Sequence, residues 1–207
     1  MLLKKKKKPG KFIVIDGIDG SGKSTQTQML ADTLKKEAFE VELTDFPQYG
    51  QKSAGAVEEY LNGKYGQLNS YVASIFYAVD RFDASFKIRR WLDQGKIVIS
   101  NRYVTANAGH QGGKIEDRAE RVKYFKWLEN LEYNIFGIPK PDLNIILHVP
   151  AKTAQKLIHK RLQEQRMFAA GKNKDLHESN LKHLERSEKV FFEITREKIL
   201  PGLPLVL

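Results

Sequence analysis

Apolar positions along this chain fall into two kinds of segment that alternate from end to end. Short unbroken runs of β-branched and aliphatic residues predict strands, and longer stretches with apolar residues three and four apart predict helices. Lys11-Phe12-Ile13-Val14-Ile15-Asp16 is a run of the first kind, and its lack of polar alternation predicts a parallel strand buried on both faces. Met29, Leu30 and Leu34 then recur at helical spacing between Ser24 and Glu37, and Glu40 to Thr44 alternates like a second strand. Helices are predicted over Ala54 to Leu61 and over Tyr71 to Leu92, the second stopped by Gly95 in the manner of a C-cap. Ile97-Val98-Ile99 is a third strand, Glu116 to Tyr133 a helix, and Leu143 to Leu147 a fourth strand. A charged helix follows over Ala151 to Phe168, then a loop over Ala169 to Lys174, a helix over Leu176 to Ile199 and a last strand over Leu203 to Leu207. Alternation of this kind predicts an α/β fold: a five-stranded parallel sheet with helices on both faces, a three-layer arrangement.

Composition adds boundaries to this picture. At 207 residues, 41% of them apolar, the chain suits one domain with a sizeable core, and neither an internal repeat nor a long linker divides it. A single domain is expected over residues 11 to 207. Cysteine is absent, so disulfide and thiol chemistry are excluded and a cytoplasmic location is the simplest expectation. The apolar run Phe12 to Ile15 is broken at once by Asp16 and Gly17, so neither a signal peptide nor a membrane span is expected. The formal charge of +10 suits a nucleic-acid surface or a site that holds several phosphates. Much of the excess lies in Lys4 to Lys8 and Lys11, and a run of this kind reads as a solvated tail over residues 1 to 10.

The most specific chemistry follows the first strand. Gly17-Ile18-Asp19-Gly20-Ser21-Gly22-Lys23-Ser24 has the spacing G-x-x-x-x-G-K-S, directly after a buried strand and directly before a helix. In that context backbone N–H groups wrap phosphates, Lys23 supplies positive charge and the Ser24 hydroxyl can ligate Mg²⁺. A P-loop fold that binds ATP is the expectation. The motif alone does not separate ATPases, GTPases and small-molecule kinases. Three further clusters stand at or near strand ends, where ligands of open parallel sheets bind. They are Asp45-Phe46-Pro47-Gln48-Tyr49-Gly50, Phe76-Tyr77-Ala78-Val79-Asp80-Arg81 and Ser100-Asn101-Arg102-Tyr103. Their aromatic rings can stack on a base and their arginines can hold its phosphate. Each also admits a plainer reading, with Phe76 in the core and Asp80 paired to Arg81 at the surface.

In series these segments resemble the thymidylate kinase family over nearly the whole chain. The resemblance runs through Ile15 to Thr25, Phe46-Pro47, Tyr77 to Arg81, Asn101-Arg102-Tyr103 with Asn107, Gly137 to Asp142, and Asp175 to Glu178. It implies ATP bound by Gly17, Asp19, Gly20, Ser21, Gly22, Lys23, Ser24 and Thr25, with Mg²⁺ held by Ser24 and Asp19. It implies dTMP bound by Asp19, Phe46, Pro47, Tyr49, Tyr77, Arg81, Arg102, Asn107 and His110. Phe46 walls the base pocket, Tyr77 stacks on thymine, Arg81 reads a base carbonyl, Asn107 bonds the base and Arg102 clamps the acceptor phosphate. Lys23, Asp19, Arg102 and Arg166 are the implied catalytic set. A lid is implied at about residues 161 to 176, with Arg166 the first choice for the arginine it brings to ATP and Arg161 the second. A homodimer packed through helices, Tyr71 to Leu92 among them, is also implied.

The match has departures. Asn101 stands where the family usually has Asp, and an amide lends no negative charge to a Mg²⁺ shell. Gln48 replaces an arginine or glutamate common after Phe-Pro, and His110 replaces a tyrosine or phenylalanine beside the sugar, which could loosen the preference for deoxyribose. The expected reaction is phosphorylation of dTMP to dTDP by ATP. The alternatives are a kinase for another deoxynucleotide or a deoxynucleoside and, from a different class, a basic nucleic-acid-binding NTPase.

Overall fold

The computed structural model describes residues 9–168, 180–197, 200 and 204–207, and of 164–168 it describes the backbone. The five strands are β1 (Lys11–Gly17), β2 (Val41–Asp45), β3 (Ile97–Asn101), β4 (Leu143–Leu147) and β5 (Leu205–Val206). They form one all-parallel sheet in the order β2-β3-β1-β4-β5. Seven α-helices are present among the described residues: α1 (Lys23–Lys36), α2 (Gly55–Leu61), α3 (Ser70–Asp93), α4 (Val104–Gly112), α5 (Arg118–Glu129), α6 (Ala151–Phe168) and α7 (Leu181–Arg196). A 3₁₀ turn, Lys52–Ala54, precedes α2, and a π-helical segment, Asn130–Ile135, continues α5.

The unbroken apolar runs have the physical cause expected of them. Phe12 and Val14 of β1, Val98 of β3 and Ile146 of β4 face one core, shared with α3 to α7. Ile15, Ile97, Ile99, Ile145 and Leu147 face a second, covered by Leu30, Ala31 and Leu34 of α1. A strand sandwiched in this way has no face left for polar residues. Each fully buried large side chain contributes about 1.5–3 kcal/mol.

Local signals also set the helix ends. Asn69 caps α3, its side-chain oxygen accepting from the Val72 N–H at 2.9 Å. At the other end Gly95 takes φ 78°, so that the Gly95 and Lys96 N–H groups close on the carbonyls of Leu92 and Trp91. Gly10, placed in the tail by the sequence, is tied to the fold by its N–H, which donates to Leu92 O at 2.9 Å.

Several expectations change. The helix predicted over Glu116 to Tyr133 gives way to π-helical turns from Asn130, and α4 has no counterpart among the predicted elements. Asp80 and Arg81 are not a surface pair: each is 1% exposed, and each takes other partners. Phe76 packs at the edge of a small cluster with Val57, Tyr60 and Ala73. The loop expected over Ala169–Lys174, the later part of the lid, Asp175 to Glu178, the start of the helix expected at Leu176, and residues 1–8 lie outside the described residues.

Candidate active site

The loop from Gly17 to Lys23 turns the chain from the central strand into α1, and three glycines make the turn possible. Gly17, Gly20 and Gly22 have φ of 136°, 79° and 85°, a region that side chains rarely enter. Space demands glycine too, since a Cβ on Gly17 would lie 2.5 Å from Leu147 O, and one on Gly20 2.5 Å from Ala154 O in α6. Gly22 caps α1 with no side-chain hydrogen bond, so the first N–H groups of the helix are left for an anion. Lys23 folds back over the loop, donating to Ile18 O at 2.8 Å. Burial, with the Arg102 cation nearby, pushes its ammonium pKa down to about 8. An arriving phosphate would replace solvation that Lys23 has already lost.

At the centre stands a line of charged and polar groups from the turns that follow β1 and β3 and from α4. Arg102 has φ 66°, left-handed for a residue with a side chain, a strain of about 1–3 kcal/mol. Its N–H is held by Ile15 O at 2.9 Å, and its side chain is aimed back across the phosphate loop. There Arg102 Nη2 donates to Asp19 Oδ1, and Nη1 lies 3.0 Å from His110 Nε2. Arginine can only donate, so His110 Nε2 is the acceptor and the imidazole proton sits on Nδ1, 3.4 Å from Ser187 Oγ and from His183 Nε2. Burial and the neighbouring Arg102 keep His110 well below its ordinary 6.5, consistent with a neutral ring. Burial would raise Asp19, but Arg102 and Lys23 hold it well below the usual carboxylate range. Asp19 is therefore the counter-ion of two cations, Lys23 Nζ being 3.9 Å away. Beneath the loop, buried Asp16 accepts from Thr105 Oγ1 at 2.6 Å and from the Gly17 N–H at 3.1 Å, locking α4 to β1.

Two cavities flank this line. The first, about 380 Å³, is lined by Gly20, Gly22, Lys23, Ser24 and Thr25 with Leu157, Ile158 and Arg161 of α6. The second, about 220 Å³, is lined by Phe46, Pro47, Tyr49, Tyr77, Arg81, Asn107 and His110, among others. Asp19, Ser24, Asn101, Arg102 and Arg161 belong to the walls of both. The residues read from the sequence as donor and acceptor ligands are thus brought together, except Gly17 and Ser21, which line neither cavity, and Arg166, whose side chain lies outside the described residues. Arg161, the second choice for the lid arginine, reaches the shared wall.

Two acceptor-side residues have partners that the sequence did not suggest. Arg81 gives Nε to Glu132 Oε1 at 3.0 Å and Nη2 to the same carboxylate, and Nη1 to Tyr103 O at 3.4 Å. Most of its donors are therefore committed inside the protein, and those contacts fix the guanidinium at the wall of the acceptor cavity. Gln48 turns away from the cavity, its backbone N–H donating to Asp80 Oδ2 at 2.8 Å and its side-chain Oε1 accepting from Lys87 Nζ at 2.9 Å. Asn107 donates to Ser74 O at 3.3 Å from the cavity wall. Glu132 and His183 were not among the candidates read from the sequence, and Asp16 and Asp45 stood in candidate segments without a role assigned to them. The clue available for Glu132 was an acidic residue on the apolar side of a helical pattern.

The oxygen donors fit Mg²⁺. Ser24 Oγ accepts from Asn101 Nδ2 at 3.2 Å, and Asn101 Oδ1 is buried without a partner. Among the described residues no group of three or more His, Cys, Asp or Glu could hold a metal alone. Such a site suits a hard ion that arrives already bound to nucleotide phosphates.

A family model described as thymidylate kinase matches residues 15–200. The chain belongs to the thymidylate kinase family. Its relatives in this family include the thymidylate kinase of Mycobacterium tuberculosis, 30% identical over 90% of this chain and 86% of that one. The thymidylate kinase of Schizosaccharomyces pombe is 29% identical over 91% of this chain and 81% of that one. Among solved structures, the thymidylate kinase of Candida albicans, described as having broad substrate specificity, aligns with a TM-score of 0.70 at 23% identity. That alignment covers 96% of this chain and 83% of the other, and carries the likeness of fold. Members of the family are kinases, so this chain is an enzyme that transfers phosphate. No helix among the described residues is long and apolar enough to cross a membrane.

Proposed function

We propose that this enzyme transfers the γ-phosphoryl group of ATP to dTMP, giving ADP and dTDP. The observation that carries the reading is the shared wall: a phosphate-loop cavity and an aromatic-lined cavity meet at Asp19, Ser24, Asn101, Arg102 and Arg161. An oxygen of the acceptor monophosphate attacks the γ-phosphorus from one cavity, and the bond from that phosphorus to the bridging oxygen of ADP breaks toward the other. Lys23 and the first turn of α1 bind the donor phosphates, while Arg102 and Arg161 stabilise charge on the group in flight. Mg²⁺ bound through Ser24 would neutralise the donor phosphates and orient them. Phe46 and Tyr77 offer flat apolar surface to the base, and Asn107 a polar edge.

The remaining parts of the reading concern the chain as a whole. Residues 11–207 act as one domain, with a lid beginning near Arg161 and the basic residues before it as an appendage. The enzyme is cytoplasmic, in keeping with its lack of cysteine. It works as a homodimer, supported by Val72, Ile75, Val79, Phe82 and Phe86, exposed apolar residues three and four apart along α3.

A steady-state panel of thymidine, dTMP, dUMP and other monophosphates with ATP tests this reading. Turnover of dTMP without turnover of thymidine is expected. Phosphorylation of the nucleoside in place of the monophosphate would overturn it.

A further inference from the structure

A cavity of about 690 Å³ lies outside both substrate cavities, between the connection from α2 to α3, the turn after α4 and the start of α7. It is larger than either of them, and the one lining residue it has in common with them is His183, which also lines the acceptor cavity. Lys114, Lys182 and Arg186 stand in its wall, with Tyr60 and Tyr71 beside them. Among the described residues no carboxylate lines it.

Lysines on a solvated face ordinarily stand among acidic residues, as Lys64 does beside Glu59 and Lys123 beside Glu120. Here the cations are gathered without such partners. Lys114 is partly buried, and its ammonium donates to Tyr60 Oη at 2.6 Å and stands 5.3 Å from the centre of that ring. Both contacts are with a neutral group, so no opposite charge offsets the hydration it has lost, and burial lowers its pKa to about 8. Lys182 makes no ion pair among the described residues. Arg186 pairs at 3.0 Å with the exposed Glu116, which is not part of the wall, and solvent weakens such a pair.

A wall with this charge favours an anionic occupant, and its shape narrows the class. Pockets of about 300–1,000 Å³ take whole small molecules. The cations come from two separate elements, the turn after α4 and helix α7, so an occupant that meets all of them carries negative charge at more than one place. Two of them are lysines, point charges that suit phosphate oxygens without the planar pairing of a carboxylate.

We propose that this cavity is a second anion site, which binds a polyphosphate chain, carried by a nucleotide or free. It is separate from the donor and acceptor cavities, and the proposal does not depend on which nucleotide the enzyme phosphorylates.

Inorganic tripolyphosphate is the probe, titrated by calorimetry into the full chain carrying Lys23→Ala, which disables the phosphate loop as a competing site. One tripolyphosphate per chain is expected to bind there, and the further change Lys182→Gln or Lys114→Gln to weaken it by about 10-fold. Absence of binding, or binding indifferent to both lysines, would overturn the proposal. Lys182 is exposed, so its substitution leaves the fold intact. Should Lys23→Ala fail to fold, the chain with Lys23 in place is expected to show two binding events, and a Lys182→Gln variant that weakens neither would be equally fatal. ATP and dTTP in place of tripolyphosphate separate the sources: tighter binding that depends on Lys182 identifies a nucleotide, and weaker binding the free chain. Lysine-dependent binding of a single-stranded oligonucleotide with none of tripolyphosphate would replace the proposal with a nucleic-acid surface.

Discussion

The two cavities are built from different materials. On the donor side one contiguous segment, Gly17 to Thr25, presents main-chain N–H groups and the start of a helix, with Lys23 as its main charged side chain. On the acceptor side the walls are side chains from β2, α3, β3 and α4, each oriented by something behind it: Arg81 by Glu132, Arg102 by Asp19 and His110, Asn107 by Ser74. Phosphate is the same in every nucleotide, so a site made of backbone suffices for it. A base must be told from other bases, and that requires side chains and the buried network that aims them.

This difference predicts that damage to the two sides will look different. Lys23→Ala is expected to give the largest effect on rate, about a thousandfold loss of kcat, because it removes a fixed charge from the migrating phosphoryl group. Binding of dTMP, measured by calorimetry, should largely survive that change, since Lys23 does not line the acceptor cavity and Arg102 keeps its pairing with Asp19. Loss of both would break the comparison. Glu132→Ala acts in the opposite way, leaving Arg81 as an uncompensated charge that is 1% exposed. A destabilisation of about 3–5 kcal/mol is expected, or roughly 10 °C in the midpoint of thermal unfolding. The protein that remains folded should bind an ATP analogue normally and dTMP poorly.

A smaller effect lies where the two sides touch. His110 is kept neutral by burial and by Arg102, its pKa well below the ordinary 6.5, and it faces Asp19 and His183 as well. Below 6.5 the unfolded chain takes up a proton that the folded ring refuses. The stability due to the neutral ring is therefore present above that pH and lost as pH falls toward the depressed value. Thermal midpoints measured at pH 7.5 and 5.0 should fall with acid, and His110→Gln should flatten that fall. An unchanged slope in the variant would show that another group controls it. The smallest effect expected is from deleting residues 1–8, which should leave kcat/KM within about twofold. A strong loss, or hydrolysis stimulated by nucleic acid, would favour the basic NTPase alternative.

The donor side was legible in the sequence because contiguous residues build it. β1, the loop and α1 follow from an apolar run, three glycines and a helical pattern, and those signals are local. The sheet was legible for a related reason, since strands covered on both faces are uninterrupted. The acceptor side was legible only through resemblance, and α4 shows why. All nine of its residues are buried, so it has no polar face to give it a period. A Cβ at Gly109 would come within 2.3 Å of the Phe191 ring, so that glycine is what lets α7 approach. Glu132 was hidden similarly: a charged residue in a helix suggests solvent, and nothing near it in sequence announces Arg81, 51 residues away. Asp45 ends an alternating strand, where its neighbour across the sheet, Asn101, cannot be read from the chain order.

The contact between Gly20 and α6 has a consequence for heritable change. The atom that a Cβ on Gly20 would strike is the carbonyl oxygen of Ala154, and the next is Ile158 Cγ1 at 2.9 Å. A compound that fitted itself to the backbone of Gly20, which lines the donor cavity, would be reading atoms that every residue type carries. Codon changes at 154 would leave the carbonyl in place, and codon changes at 20 would push a side chain into it. Resistance by point substitution would then have to arise farther out, at residues such as Leu157 or Arg161, where alteration reaches the enzyme's own substrates as well.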